Sequence, residues 1–368
     1  MLTANDTQTA SVSAGPLGQM SVFDHEQVVF CNDNTTGLRS IIAIHNTTLG
    51  PALGGTRMWA YATEAEALTD VLRLSRGMTY KAAVAGLNLG GGKAVIIADS
   101  RKDKNEALMR RFGKFVDSLG GKYITAEDVG INSKDMEHVL METKHVTGIP
   151  PALGGSGDPS PVTAYGVYMA MKASAKERWG NDSLTGKKVL VQGVGNVGSH
   201  LVDSLAKEGA KVYIMDIFED RISLVKKNNP SVEVVSGDGI YDLDIDIYAP
   251  CALGATLNND TLGRLKCSVI CGAANNQLAD ETLHGKIVME KGILYAPDFV
   301  VNAGGLINVY SELAGYGRDY ALLQAENIYN TTAAIYAMAK KESIPTYMAA
   351  NRTAEARIAA MAHIRTKR

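Results

Sequence analysis

Residues Val189–Asp216 read VLVQGVGNVGSHLVDSLAKEGAKVYIMD. The apolar run at the start leads into Gly193-x-Gly195-x-x-Gly198, and an amphipathic stretch and a second apolar run ending at Asp216 follow. This order predicts a strand, a tight turn, a helix and a second strand. A Gly-x-Gly-x-x-Gly triplet in that context is typical of a dinucleotide-binding unit. The alternative is a glycine-rich turn in a fold that binds no dinucleotide.

Each part of this segment has a predicted role in binding a coenzyme. The first glycine makes the turn, the second lets the backbone approach a pyrophosphate, and the third lets the helix pack on the strand. The helix N-terminus offers free N–H groups and a partial positive charge to the phosphates. Asp216 would accept hydrogen bonds from the adenosine ribose and repel a 2′-phosphate, which favours NAD over NADP. The predicted cofactor-binding residues in the segment are Gly193, Val194, Gly195, Asn196, Val197, Gly198 and Asp216.

The composition is that of an ordinary globular chain long enough for about two domains. Of its 368 residues 46% are hydrophobic and 21% are charged, and a formal net charge of −2 gives no reason to expect nucleic acid or a membrane as partner. The four cysteines show no CxxC spacing and form no cluster with histidines, so we expect free thiols, a cytoplasmic location and no metal site. Residues 1–20 are mostly small and polar and predict a disordered leader.

Short apolar runs alternate with amphipathic stretches along most of the chain, which predicts an α/β fold with a doubly wound parallel sheet in its second half. Turn-rich residues at 46–57 and 86–92 predict loops, and the proline- and glycine-rich residues 146–161 predict an inter-domain crossing. Strands are predicted at 27–31, 41–45, 94–98, 123–126, 232–235, 245–248, 268–271 and 293–295. Helices are predicted at 64–80, 106–119, 132–143 and 161–179, with about two long helices from Ala321 onward.

Two lysines stand in a glycine-rich, apolar stretch, GMTYKAAVAGLNLGGGKA at 77–94. This stretch is not a phosphate-binding P-loop, because Leu87 replaces the first glycine and Ala94 replaces the hydroxyl residue. Burial favours the neutral form of an amine, so Lys93 could act as a general base while Lys81 stays charged and binds a carboxylate. The alternative is that both are surface lysines whose aliphatic stems cover apolar residues.

An acidic pair follows the predicted strand at 123–126, in the segment TAEDVG. Carboxylates at a strand end are common helix caps, so Glu127 and Asp128 have an ordinary structural explanation. A carboxylate in this position could also pass a proton to or from a substrate nitrogen.

Taken together, these segments resemble the amino-acid dehydrogenase family that includes the glutamate, leucine, valine and phenylalanine enzymes, and the likeness is greatest to its leucine-acting members. The similarity runs from about residue 21 to near the C-terminus, and the joint spacing of the motifs is specific to the family. The matching motifs are GPALGGTRM at 50–58, GMTYK at 77–81, GLNLGGGKAVI at 86–96, TAEDVG at 125–130, PSPVTAYGV at 159–167, QGVGNVG at 192–198, APCALGATLN at 249–258, GAANNQL at 272–278 and APDFVVNAGGLINV at 296–309.

The resemblance implies an N-terminal α/β substrate domain, a Rossmann-type NAD-binding domain, and C-terminal helices that return to the first domain. The corresponding ranges are 21–150 for substrate binding and oligomerisation, 151–335 for NAD and 336–368 for the C-terminal helices. It also implies a homo-oligomer, specifically an octamer.

The family's functional residues have counterparts here. The resemblance implies that Lys93 is the catalytic base that activates water and that Asp128 exchanges a proton with the substrate nitrogen. It implies that Lys81 binds the substrate α-carboxylate and that the backbone of Gly54 and Gly55 approaches the substrate. Further residues that it places at the coenzyme are Thr163, Ala252, Asn276 and Asn302.

The implied reaction is the reversible, NAD-dependent oxidative deamination of L-leucine, L-isoleucine and L-valine to the 2-oxo acid, ammonia and NADH. One alternative is a non-catalytic NAD-binding regulatory protein. Another is a hydroxy-acid dehydrogenase, a chemistry that usually uses a histidine or tyrosine with an arginine clamp.

The resemblance implies an apolar side-chain pocket lined by Leu53, Ala126, Leu306 and Val309. This pocket has no lysine for a distal carboxylate, which argues against glutamate. The leucine at position 306 is similar to the residue found there in the phenylalanine-acting enzymes, whereas the alanine at position 126 is not. A phenylalanine- or valine-preferring enzyme is therefore an alternative. A single methylene contributes only ~1–3 kcal/mol to discrimination.

Overall fold

The computed structural model describes residues 15–365, which divide into two compact units. The first unit comprises the described residues up to Thr79 together with Asn88–Leu153, and the second comprises Tyr80–Leu87 and the residues from Gly154 onward. The boundary at Gly154 falls inside the crossing predicted from proline and glycine content. Tyr80–Leu87 groups with the second unit, although the sequence predicted these residues to be part of the first domain.

The first unit is built on a five-stranded mixed sheet with strand order β1-β2-β4-β3-β5. Strand β2 is antiparallel to β1 and β4, whereas β3 is parallel to both β4 and β5. The elements that form or flank this sheet are α1 (Pro16–Phe23), β1 (Gln27–Asp33), β2 (Leu38–Asn46), β3 (Ala52–Trp59), α2 (Glu64–Val84), β4 (Gly90–Ile97), α3 (Glu106–Asp117), β5 (Tyr123–Glu127) and α4 (Ser133–Leu140).

Three predictions for this region are wrong. The predicted loop at 46–57 contains strand β3 from Ala52 onward, and β4 begins at Gly90 within the predicted loop 86–92. Glycine is normally unfavourable in a strand, but here the neighbouring backbones approach too closely to leave room for side chains. Residues 16–20, predicted to belong to a disordered leader, lie in helix α1; the earlier part of that leader, residues 1–14, is outside the described residues.

Both faces of the first sheet are covered, as the alternation of apolar residues along β2 shows. Ile42 and Ile44 point into a core that includes Leu108 and Phe112 of α3. The intervening residues Ile41 and Ala43 belong to a second cluster, formed with β4 and with Leu68, Val71 and Leu72 of α2. The sheet is therefore a buried layer between helices.

The second unit contains a six-stranded parallel sheet with strand order β11-β10-β9-β6-β7-β8, which confirms the predicted doubly wound architecture. Its elements are α5 (Ser160–Trp179), β6 (Lys188–Gln192), α6 (Asn196–Glu208), β7 (Lys211–Met215), α7 (Glu219–Asn228), β8 (Glu233–Val234), β9 (Ile247–Pro250), α8 (Asn259–Arg264), β10 (Val269–Ile270), α9 (Glu281–Glu290), β11 (Leu294–Tyr295), α10 (Asp298–Val301), α11 (Gly304–Ala314), α12 (Arg318–Glu326), α13 (Ile328–Glu342) and α14 (Thr346–Arg365).

The last helix, α14, returns to a segment from the first half of the sequence. The guanidinium of Arg357 donates to the carbonyl oxygens of Ala82, Ala83, Gly86 and Leu87, at distances of 2.7–3.3 Å. It thereby adds a charged donor to carbonyl groups at the end of α2, where the last turn of a helix leaves backbone acceptors outside the regular helical pattern. Within residues 15–365 no helix is long and apolar enough to cross a membrane.

Candidate active site

The two predicted catalytic residues meet in the first unit. Lys93 lies on β4 opposite Ala43 of β2 and is only 7% exposed, so the surface-lysine alternative is wrong for this residue. Its ammonium nitrogen lies 2.6 Å from Oδ2 of Asp128, which directly follows β5. The helix-cap alternative for the acidic pair is also wrong, because Asn132 caps α4.

Arg57, which the sequence predictions missed, is a second cation beside this carboxylate. Its Nε lies 3.5 Å from Asp128 Oδ2. Burial opposes ionisation of Asp128, but Lys93 and then Arg57 outweigh it, so the pKa of Asp128 lies below its usual range. Asp128 is therefore held as a carboxylate between two cations. The signal for Arg57 was its position in the GGTR motif, two residues after Gly55.

Gly54 and Gly55 lie on β3, between the strands that carry the catalytic pair. A Cβ on Gly54 would lie 1.7 Å from the carbonyl oxygen of Gly92, and a Cβ on Gly55 would lie 3.0 Å from the Cβ of Asp128. Both positions are therefore closed to any side chain. The buried Leu53 and Ala126, predicted to line the substrate pocket, lie next to these glycines on β3 and β5.

The glycine loop of the second unit has the geometry that phosphate binding requires. Gly193 has a φ of +99°, and a Cβ there would lie 2.6 Å from the Cβ of Ala252. A Cβ on Gly198 would lie 1.9 Å from the carbonyl oxygen of Gly193, so this glycine allows α6 to pack on the loop. Gly195 is the N-cap of α6 and no side chain caps the helix, which leaves its first N–H groups available to an anion.

Asp216 lies at the end of β7, against the same loop. Its Oδ2 accepts a hydrogen bond of 2.9 Å from the backbone N–H of Val194, and its Oδ1 accepts one of 3.0 Å from Phe218. The predicted ribose-binding carboxylate is thus hydrogen-bonded to the glycine loop. The guanidinium of Arg221, which is partly exposed, lies 3.8 Å from this carboxylate.

The residues predicted to lie near the nicotinamide also come together in the second unit. The Nδ2 of Asn302 donates to the carbonyl of Ala273 at 3.0 Å and to Oδ1 of Asn275 at 2.8 Å. The carbonyl of Asn276, a residue with a φ of +52°, accepts from Ala255. The Oδ1 of Asn302 is buried and has no hydrogen-bond partner among residues 15–365, so it can accept from a bound amide.

Thr163 packs against the start of α11, where the hydroxyl lies 3.1 Å from the position of a Cβ on Gly305. Leu306 and Val309 follow on α11, the former buried and the latter half-buried. The structure therefore brings Thr163 close to the helix that carries two predicted pocket residues. That these two share a pocket with Leu53 and Ala126 stays a prediction.

Lys81 lies near the end of α2 and donates a hydrogen bond of 3.1 Å to Oδ1 of Asn275, the same atom that Asn302 contacts. The half-buried Asp298 lies within electrostatic range of this ammonium; desolvation raises the pKa of Asp298, and the backbone N–H of Gln277 and the charge of Lys81 oppose that shift. Asn275 was not predicted, although it directly precedes Asn276 in the GAANNQL motif. The ammonium group of Lys81 and the side-chain amide of Asn275 together are suited to binding a carboxylate.

Family models match both halves of the chain. The dimerisation domain of the Glu/Leu/Phe/Val dehydrogenases matches residues 25–145, and the model described as glutamate/leucine/phenylalanine/valine dehydrogenase matches 154–217 and 213–365.

Individual relatives are similar over nearly their whole length. The leucine dehydrogenase of Thermoactinomyces intermedius is 56% identical, over 94% of this chain and 94% of its own. The valine dehydrogenase of Streptomyces virginiae is 52% identical, over 91% and 94% respectively. Among solved structures, the L-tryptophan dehydrogenase of Nostoc punctiforme superposes with a TM-score of 0.84 at 46% identity, covering 94% of this chain and 99% of that one.

Proposed function

The chain belongs to the Glu/Leu/Phe/Val dehydrogenase family, and on this basis we propose that it catalyses the reversible, NAD-dependent oxidative deamination of L-leucine. The products are the 2-oxo acid, ammonia and NADH, and L-isoleucine and L-valine are further substrates. The observation that carries the proposal is the pair formed by the buried Lys93 and the half-buried Asp128, 2.6 Å apart beside two glycines at which no side chain would fit.

Lys93 and Asp128 handle the protons of this reaction. The neutral amine of Lys93 accepts a proton from water as the water adds to the substrate iminium carbon, and the 2.6 Å contact lets Lys93 pass this proton to Asp128. Asp128 gives the proton to the nitrogen of the carbinolamine. Lys93 then accepts the proton of the carbinol hydroxyl as the carbon–nitrogen bond breaks and ammonia leaves, and it releases this proton to solvent before the next turnover.

Lys81 binds the substrate carboxylate, with the amide of Asn275 beside it. The ammonium–amide contact of 3.1 Å fixes the lysine side chain before substrate arrives, so its charge is preorganised.

The chain's own residues also fit NAD, which supplies the hydride acceptor when it is bound. The uncapped N-terminus of α6 suits the pyrophosphate, and the unpaired Oδ1 of Asn302 suits the carboxamide of the nicotinamide. Thr163, Ala252 and Asn276 complete the proposed coenzyme-binding set. Asp216 favours a free ribose 2′-hydroxyl over a 2′-phosphate, since its carboxylate would repel the latter.

The apolar residues Leu53, Ala126, Leu306 and Val309 form the proposed side-chain pocket and set the preference for leucine. A preference for valine is the second candidate, because Leu306 adds a methylene to the pocket and because relatives at 50–52% identity are valine dehydrogenases. The proposed assembly is a homo-oligomer, specifically an octamer, which sedimentation velocity would measure. The proposed location is the cytoplasm, in keeping with four unpaired cysteines.

The test is the absorbance of NADH during incubation of the purified chain with NAD and leucine, isoleucine, valine, phenylalanine or glutamate at alkaline pH. We expect the highest kcat/KM with leucine. The reverse reaction, reduction of the corresponding 2-oxo acids, should require ammonium. Turnover without ammonium would support the hydroxy-acid alternative, and NAD binding without any turnover would support the regulatory one.

A further inference from the structure

The carboxylate of Asp128 lies at one end of a chain of four charged or polar groups in the first unit. Arg57 bridges two carboxylates: its Nη1 lies 2.9 Å from Oδ2 of Asp70, and its Nε lies 3.5 Å from Oδ2 of Asp128. The hydroxyl of Tyr61 donates to the same oxygen of Asp70 at 2.6 Å. With Lys93, the cluster contains two cations and two anions, so it is electrically balanced.

We infer that Arg57 is a positioning residue that keeps Asp128 ionised and turned toward Lys93, with Asp70 and Tyr61 holding the guanidinium in place. This inference rests on the proposed function, because it concerns the return of a proton from Asp128 to the substrate nitrogen. It assigns a positioning role to Arg57, Asp70 and Tyr61. These residues do not touch the reacting atoms, and they meet through the fold although they are not adjacent in sequence.

The fold explains how these residues meet. Strands β3 and β5 are parallel, and Thr56 pairs with Glu127, so the next residues along both strands, Arg57 and Asp128, are neighbours. Asp70 comes from α2, which covers that face of the sheet, and Tyr61 from the connection between β3 and α2. Asp70 and Asp128, from two different elements, therefore restrain the Arg57 side chain, which is 26% exposed.

The guanidinium contributes what Lys93 alone cannot. During turnover Lys93 gives its proton to Asp128, and at that moment the amine no longer provides a positive charge beside the carboxyl group. Arginine stays protonated at every working pH, so Arg57 remains as a cation that favours release of the proton from Asp128. The other groups that face Asp128 supply no such charge: the phenol of Tyr123 on β5 is buried and neutral, and the N–H of Val129 is a dipole.

Asp70 and Tyr61 act on Arg57 and not on Asp128. The Nε of Arg57 is buried and has no ideal hydrogen-bond partner among residues 15–365, so charge attraction alone draws it to Asp128. The firm contact is with Asp70 at 2.9 Å. Burial and hydrogen bonding to Asp70 raise the pKa of Tyr61, so this phenol remains a neutral donor over the working pH range.

The test compares the pH dependence of kcat/KM for leucine in the wild type, Arg57→Gln, Arg57→Lys and Tyr61→Phe. The matched control is Arg39→Gln, because Arg39 also pairs with a carboxylate of α2, Glu64, but is exposed and far from Asp128 in the sheet order. Loss of the guanidinium in Arg57→Gln should move the apparent pKa of the acidic limb of the profile upward by about one pH unit. We expect Arg57→Lys to return the limb toward the wild type, Tyr61→Phe to raise it less, and Arg39→Gln to leave it unchanged.

A second measurement needs no turnover and separates this inference from the proposed function. Infrared spectra of protein labelled with ¹³C-aspartate, after subtraction of the spectrum of Asp128→Asn, follow protonation of the Asp128 carboxyl group in the free protein. The titration midpoint should move upward in Arg57→Gln and, by less, in Tyr61→Phe. Unchanged midpoints in both variants would overturn the inference, even if the protein deaminates leucine; a shift would support it even if the substrate were another amino acid.

Discussion

The Nζ of Lys93 lies 2.6 Å from the Oδ2 of Asp128, although the strands that carry them, β4 and β5, are not neighbours. Strand β3 lies between them, and the two residues meet over it. The contact is possible because β3 carries Gly55 at this level, between the register pairs Leu53–Gly91 and Thr56–Ala94. Because Gly55 has no side chain, it allows Lys93 and Asp128 to meet across β3.

Replacement of Lys93 by alanine should abolish catalysis without removing the coenzyme site, because the glycine loop belongs to the other unit. We expect kcat with leucine to fall by at least about 100-fold, the usual contribution of a general base. NADH fluorescence should report a dissociation constant close to that of the wild type. Lys102→Ala, which changes an 80% exposed lysine, is the control and should retain full activity. Retained turnover in Lys93→Ala would exclude this residue as the base.

Gly55→Ala should destabilise the first unit. The new Cβ would lie 2.3 Å from the carbonyl oxygen of Glu127 and 3.0 Å from the Cβ of Asp128, so the strands must separate. Overpacking of this kind costs about 1–3 kcal/mol. The matched control is Gly77→Ala in α2, where a Cβ meets no atom within 4 Å and helix propensity predicts a gain of about 0.5–1 kcal/mol. Urea unfolding measures the change in the free energy of unfolding, which we expect to be negative for Gly55→Ala and positive for Gly77→Ala. Equal stabilities of the two variants would contradict the close approach of the strands at Gly55.

Asp216→Ala should weaken the preference for NAD over NADP. The substitution removes the negative charge that would repel a 2′-phosphate and leaves Arg221, which lies 3.8 Å from that carboxylate, as the nearest cation. The ratio of kcat/KM values for the two coenzymes should fall by about 10- to 100-fold, the equivalent of one charged hydrogen bond. Asp220→Ala, which changes an exposed acid in the next helix, should leave the ratio as it is. An unchanged ratio in Asp216→Ala would show that another group selects the coenzyme.

Leu306→Val should shift the substrate preference toward leucine and away from valine. The change removes one methylene from the proposed pocket and makes room for one on the substrate. We expect the leucine-to-valine ratio of kcat/KM to rise by roughly tenfold or less. Leu323→Val, at a leucine that is 61% exposed on α12, is the control. A ratio that does not move would place Leu306 outside the side-chain pocket.

Acid should destabilise the first unit through two buried histidines. The rings of His25 and His45 meet edge to face with centroids 4.8 Å apart, and burial lowers the pKa of each to about 4. In the unfolded chain these groups bind protons below pH 6.5, their ordinary pKa. The contribution of the two neutral rings to the free energy of unfolding is therefore complete above pH 6.5. It is lost as the pH falls toward 4, by up to about 1.4 kcal/mol per pH unit for each ring.

Urea unfolding midpoints at pH 7.5, 6 and 5 measure this effect. The wild type should lose more stability over this range than His25→Asn, which has one fewer buried ring to protonate. His200→Asn removes an exposed histidine and should follow the wild type. Parallel curves for wild type and His25→Asn would show that this ring does not govern the acid sensitivity.

The sequence predicted the strand–turn–helix–strand segment of the second unit well, because its signal is local. Gly193, Gly198 and Asp216 lie within one strand–turn–helix–strand unit, and the required backbone conformations follow from neighbouring residues. Lys93 and Asp128 were predicted as chemical groups, but spacing alone left their structural alternatives open. Arg57, Asp70 and Asn275 went unpredicted. Arg57 and Asn275 lie inside the family motifs, but nothing near these three residues in sequence shows which side chains they contact.

What the sequence determined by itself is the order of strands and helices in the second unit, the glycine loop and the family. Periodicity and turn chemistry act over a few residues, so they can be read without a fold. Only the tertiary structure decided that Gly54, Gly55 and the glycines at 90–92 lie within strands, and that β4, β3 and β5 bring Lys93, Arg57 and Asp128 together. Strand order and register depend on burial of both sheet faces by helices distant in the chain, and no local pattern contains that information.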